Sequence, residues 1–144
     1  MKQLCLILVA AIAVGCSSSN SGGSDPSTKG PAGPTYKDIV LTDDETSKTP
    51  KATFSPDTPK VWVFFGLEGF PAGSKIKGVW ICEKSEGIEP NYKIDEAGLN
   101  VGPPLNSGNF SISKPKAGWP VGDYRVDLYI GEQIKESVKF TIAK

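Results

Sequence analysis

The chain has no histidine. That removes serine and cysteine triads working through imidazole, and most catalytic zinc sites. Arginine is nearly missing as well: Arg125 stands alone, and the 16 basic residues are matched by 16 acidic ones without any basic run. A nucleic-acid footprint needs clustered positive charge, so nucleic acid is not an expected partner. Three cysteines cannot build a disulfide scaffold. No segment repeats its apolar residues every 3.6 positions over helical length, and no glycine-rich phosphate loop follows a strand signal and opens a helix. Asp43-Asp44-Glu45 lacks the spacing of a calcium loop and reads as a solvated turn. Neither a metal nor a cofactor is expected.

What is present begins with a compartment signal. Met1-Lys2-Gln3 is a short basic start, Leu4 to Val14 is an unbroken apolar run, and Gly15 precedes Cys16. The run is too short to span a bilayer permanently and fits a secretory signal peptide over 1–15. Ala13-Val14-Gly15-Cys16 resembles the lipobox of bacterial lipoproteins, although leucine is usual where Ala13 stands. The resemblance implies that Cys16 receives the lipid and becomes the mature N-terminus. An ordinary cleaved signal with a chance cysteine is the alternative. Residues 16–35 are then a tether: Ser17 to Thr35 is built of Ser, Gly and Pro, and cannot bury a core. Ser17 is similar to the residue that sorts lipoproteins to the outer membrane, which implies a lipid-anchored domain on its periplasmic side if the cell has two membranes. Without Lys2 the chain carries 15 basic and 16 acidic residues, a net charge of −1.

Residues 36–144 have the size of one domain and a period of two. Val61, Val63, Phe65 and Leu67 share one phase, with Trp62 and Phe64 in the other. Ile76, Trp80 and Cys82 oppose Val79 and Ile81; Phe110 and Ile112 alternate with serines. Tyr124, Val126, Leu128 and Ile130 alternate with Arg125, Asp127 and Tyr129, and Val138, Phe140 and Ile142 with Lys139 and Thr141. Each is a half-buried strand. Gly131-Glu132 suits a two-residue type II′ hairpin. "KDIVLT" and "KATF" read as a first strand broken near Pro50, and "NYKIDEAGLNV" as one or two short strands. The fold class is all-β: a two-sheet antiparallel β-sandwich of about seven or eight strands.

Trp80 on a third strand, Gly122-Asp123-Tyr124-Arg125-Val126 opening a penultimate one, and a hairpin into a last strand ending in Phe-Thr-Ile resemble the immunoglobulin and fibronectin type III class of sandwich. The antibody cysteine pair is absent, so the resemblance is to the broad architecture and carries no functional residue across. It places Tyr124 where a tyrosine-corner residue sits. It also bears on two similar stretches, Gly69-Phe70-Pro71-Ala72-Gly73 and Gly118-Trp119-Pro120-Val121-Gly122. Each reads as a turn with proline second and glycine fourth, feeding a strand. Those strands are antiparallel neighbours in the class, so Phe70 and Trp119 are expected to plug opposite ends of the core.

Candidate chemistry is sparse. Cys82 reads as a packed thiol beside Trp80. The carboxylates Glu83, Glu86, Glu89, Asp95 and Glu96 read as surface loops, and Asn109-Phe110-Ser111, a glycosylation sequon, as the start of a strand. By analogy with the sandwich class the Trp80 phase faces the core. That leaves Val79, Ile81 and Tyr129 outward, ringed by Arg125, Asp127, Lys77 and Lys139: an apolar centre with a charged rim, as an interface has. The reverse phase, or a covering segment, is the alternative. The expected function is therefore a non-catalytic, membrane-tethered binding or assembly module of the bacterial envelope, holding another envelope protein or itself. A carbohydrate-binding or adhesive domain would instead need Trp62, Tyr92, Trp119 or Tyr129 in a stacking platform beside a groove. A small carboxylate enzyme would need two facing carboxyls.

Overall fold

The computed structural model describes residues 33–103 and 105–144; the leader, Cys16 and most of the tether lie outside the described residues. Eight strands follow one another: β1 (Thr35–Thr42), β2 (Thr53–Phe54), β3 (Lys60–Glu68), β4 (Ser74–Ser85), β5 (Tyr92–Val101), β6 (Ser107–Ser113), β7 (Gly122–Ile130) and β8 (Gln133–Ile142). They form a three-stranded sheet in the order β1-β3-β6 and a five-stranded sheet in the order β2-β8-β7-β4-β5. All pairings are antiparallel except β2 with β8. The chain is all-β, an antiparallel sandwich of two sheets.

The interior is made by the phases that alternation predicts. Val61, Val63 and Phe65 of β3 and Phe110 and Ile112 of β6 meet Ile76, Trp80 and Cys82 of β4, Tyr124, Val126 and Leu128 of β7, and Phe140 and Ile142 of β8. Gly78 lies in the inward phase of β4 because the opposite sheet leaves no room: a Cβ there would fall 2.7 Å from the Phe110 ring. Tyr124 packs its ring flat on Phe140 at 5.3 Å and edge-on to Trp119 at 5.9 Å. Its hydroxyl donates to the Pro120 carbonyl at 2.6 Å, four residues upstream, which makes it the tyrosine corner that the sequence suggests.

The first strand is broken, and the break is a change of sheet. β1 pairs with β3, and after a loop β2 pairs with β8 across the core. β1 opens at Thr35, one residue before the expected boundary. "NYKIDEAGLNV" holds one long strand, β5, which skips Ile94 in its pairing with β4. At the last hairpin Gly131 has φ +59°, and Glu132 is not among the positive-φ residues, as a II′ turn requires.

The two Gly-aromatic-Pro stretches do plug opposite ends, but not through one shared turn. Phe70 packs on Tyr36, whose hydroxyl donates to the Tyr129 carbonyl at 2.6 Å near the start of β4. Trp119 lies beside the start of β7, donating its indole N–H to the Thr58 carbonyl at 2.8 Å. In the first stretch Ser74 N–H donates to the Pro71 carbonyl, so proline is first and Gly73, at φ +84°, third. In the second the hydrogen-bonded turn comes earlier, from Pro115 to Gly118, and Gly118 carries the positive φ of +85°. Gly73 stands at the third place, where a type II turn needs the left-handed conformation that glycine enters cheaply, whereas Gly118 is the fourth residue of its turn and is left-handed as the chain leaves it.

Candidate functional site

Val79 and Ile81 are on the outer side of the five-stranded sheet, outside the core cluster, as the analogy places them. They are not an exposed apolar centre, however: only 5% and 9% of their surfaces are accessible. Register explains the difference. Val79 is flanked by Asp127 on β7 and Glu96 on β5, and Ile81 by Arg125 and Lys93. Asp127, itself 1% exposed, accepts from Arg125 Nε at 3.1 Å and from Ser137 Oγ at 2.6 Å. Arg125 Nη1 reaches Glu83 at 3.1 Å and Asn91 at 2.8 Å, and Lys139 Nζ approaches Glu83 at 3.4 Å. The expected charged rim thus closes over the two aliphatic side chains. Tyr129 remains half-buried, with the Lys77 ammonium 4.8 Å above its ring.

The other sheet is different. Along the outer side of β3 stand Lys60, Trp62 and Phe64, spaced two apart because side chains on one face recur with period two. Trp62 and Phe64 are partly exposed, their planes within 17° and their centroids 5.9 Å apart. Lys60 Nζ lies 4.9 Å from the Trp62 ring centre and Lys48 Nζ 4.7 Å from that of Phe64. Lys48 comes from the β1–β2 loop. There the Asp44 carboxylate accepts from the Thr46 and Ser47 amides at 2.8 and 3.3 Å, and its hydrogen bonds, above all those from Ser47, hold its pKa below the ordinary carboxylate value.

Beside this row runs a second, on β6: Ser113 opposite Lys60, Ser111 opposite Trp62, Asn109 opposite Phe64 and Ser107 opposite Gly66. Phe64, Val40 and Lys48 on one side and Ser107 and Asn109 on the other border a groove of about 470 Å³ that also includes Asp38. Of the four aromatic candidates, Trp62 alone joins such a row. Trp119 is buried, Tyr92 is 55% exposed at the start of β5, and Tyr129 pairs only with Lys77. Phe64, Lys60, Lys48 and the β6 row are not among the candidate residues that the sequence singles out. The signal for most of them was present in the outward phases of two strands read only for their inward ones.

Cys82 is fully buried and unpaired, and burial is the main reason its thiol pKa is pushed up. The Trp80 indole N–H near it has no acceptor among the described residues. Among the described residues no group of three or more His, Cys, Asp or Glu could hold a metal ion. Cys16 lies outside them.

No family profile matches the chain, and no curated protein does. Solved structures do. An immunoglobulin-like protein from Pseudomonas aeruginosa superposes with a TM-score of 0.52 at 9% identity, over 76% of this chain and 92% of that one. The fold is immunoglobulin-like. The Pseudomonas fluorescens alkylpurine DNA glycosylase AlkC, bound to DNA containing an abasic site analogue, aligns with a TM-score of 0.49 at 15% identity over 77% of this chain. β-Glucosidase 3B from Thermotoga neapolitana, in complex with glycerol, aligns at 0.44 and 14% identity, also over 77%. The chain spans 30% of the length of the glycosylase and 16% of that of the glucosidase.

Proposed function

We propose that the protein is a lipid-anchored, non-catalytic binding module of the bacterial envelope, and that its contact surface is the outer side of the three-stranded sheet. The observation that carries the surface is the half-exposed Trp62–Phe64 pair beside a groove, on a sheet side that lacks the closed ion-pair cover of the other. Partly exposed aromatic residues gathered on a rigid sheet are a common form of binding surface. A fully buried thiol and the lack of histidine support a role without catalysis. The lipobox-like Ala13-Val14-Gly15-Cys16 and the Ser/Gly/Pro stretch support the anchor. Capture of a protein through Val79 and Ile81 loses its main support, because those side chains are covered.

The test is photocrosslinking in the living cell from the full chain. A diazirine amino acid at Ser111 should give adducts with an envelope component, and one at Lys77, on the opposite sheet, should not. Adducts only from Lys77 would reject the assigned surface. For the anchor, Cys16→Ser should release the folded domain into the soluble fraction, checked by fractionation and metabolic lipid labelling. A variant that stayed lipidated would end the lipoprotein reading.

A further inference from the structure

Resting on that surface, we infer that its ligand is an extended acidic polysaccharide, a polyuronate or a polymer of similar charge, laid along the Trp62–Phe64 row. Three features of the site converge on that chemistry. The first is the aromatic strip. Two nearly parallel rings 5.9 Å apart offer π surface to the C–H face of a sugar ring, and both are partly open to solvent.

The second is the adjoining row on β6. Ser107, Asn109, Ser111 and Ser113 present three hydroxyls and an amide in register with β3, and their side chains make no hydrogen bond within the protein among the described residues. Each carries both donor and acceptor capacity, which suits a ligand dense in hydroxyl groups. An apolar protein contact would leave such groups desolvated without partners.

The third is charge. Among the described residues Lys48 and Lys60 have no carboxylate within ion-pairing range, and their ammonium groups lie against ring faces. A cation over an exposed ring is held by only about 0.5–1 kcal/mol. A ligand carboxylate can draw it away into a stronger charge-assisted hydrogen bond and leave the ring to the sugar. Within the groove Asp38 balances Lys48, and Lys60, outside it beside Trp62, adds the one positive charge in excess along the strip. Shape then selects a polymer over a monosaccharide. The β6 row from Ser107 to Ser113 extends roughly 20 Å along an open sheet, at about 3.3 Å per residue, where a small-molecule site would be enclosed.

The test uses the full chain, solubilised in detergent, in affinity electrophoresis through gels containing either polygalacturonate or neutral dextran. Polygalacturonate should retard the protein and dextran should not. Lys48→Gln/Lys60→Gln should weaken retardation by about tenfold, the loss of one charge-assisted hydrogen bond or more. Trp62→Ala/Phe64→Ser should abolish it. Lys75→Gln/Lys77→Gln, which removes the same charge from the other sheet, should bind as the wild type does. If the aromatic variant fails to fold by circular dichroism, the two lysine pairs still decide. Equal binding by both lysine variants, equal retardation by dextran, or no retardation at all would each overturn the inference. Protein adducts from Ser111 together with no polysaccharide binding would leave the binding surface standing and remove this ligand.

Discussion

Cys82 is surrounded by Trp80, Tyr124 and the other side chains of the core, with no accessible surface. Burial disfavours the thiolate, and the thiolate is the reactive form. A thiol-reactive dye should therefore leave Cys82 unlabelled in the folded protein and react with it once denaturant is added, the labelled site being located by peptide mass spectrometry. Rapid labelling at Cys82 itself in the folded protein would mean that the strand opens locally. Tyr124 carries the neighbouring constraint: burial raises its pKa, so the hydroxyl keeps the proton that it gives to Pro120. Both roles were legible from position alone, a cysteine in the inward phase and a tyrosine opening the penultimate strand. The lack of an acceptor for the Trp80 indole among the described residues was not, because it depends on what every neighbouring strand happens to offer.

At the level of strands, the outer side of β4 shows why phase is easier to read than exposure. Period two assigns Val79 and Ile81 to the outside whatever their neighbours are. Whether they meet water depends on cross-strand register, which brings Asp127 and Arg125 from β7 and Glu96 and Lys93 from β5 to their flanks. Register is a property of pairs of strands, and a single segment does not contain it. The same limit hid the aromatic row. Trp62 and Ser111 are 49 residues apart in the chain and become neighbours only when β3 pairs with β6. The ion-pair cover has its own consequence. Asp127→Ala removes a 1%-exposed carboxylate and leaves Arg125 with Glu83 as its acidic partner. The loss should be on the order of 2 kcal/mol, below the range for breaking a buried pair because Arg125 keeps Glu83 and is partly exposed. Urea unfolding should show it as a lower midpoint at unchanged slope. A loss below about 0.5 kcal/mol would class the cluster with ordinary surface pairs.

Across the whole molecule the two sheets differ in what they turn outward. The five-stranded sheet closes its outer side with charge, and the three-stranded sheet leaves an aromatic row open. The crossing of β1 and β2 ties the two together before the chain enters β3. That crossing also decides how the domain would bear a load. A pull on the chain ahead of Thr35, resisted by a ligand seated on β3, runs along β1 and slides it lengthwise past β3. The six cross-strand pairs from Thr35↔Glu68 to Thr42↔Trp62 then share the force at once, where a pull across the sheet would unzip them one at a time. The first strand is in this sense a shear joint, placed between the segment that would be anchored and the row that would hold on.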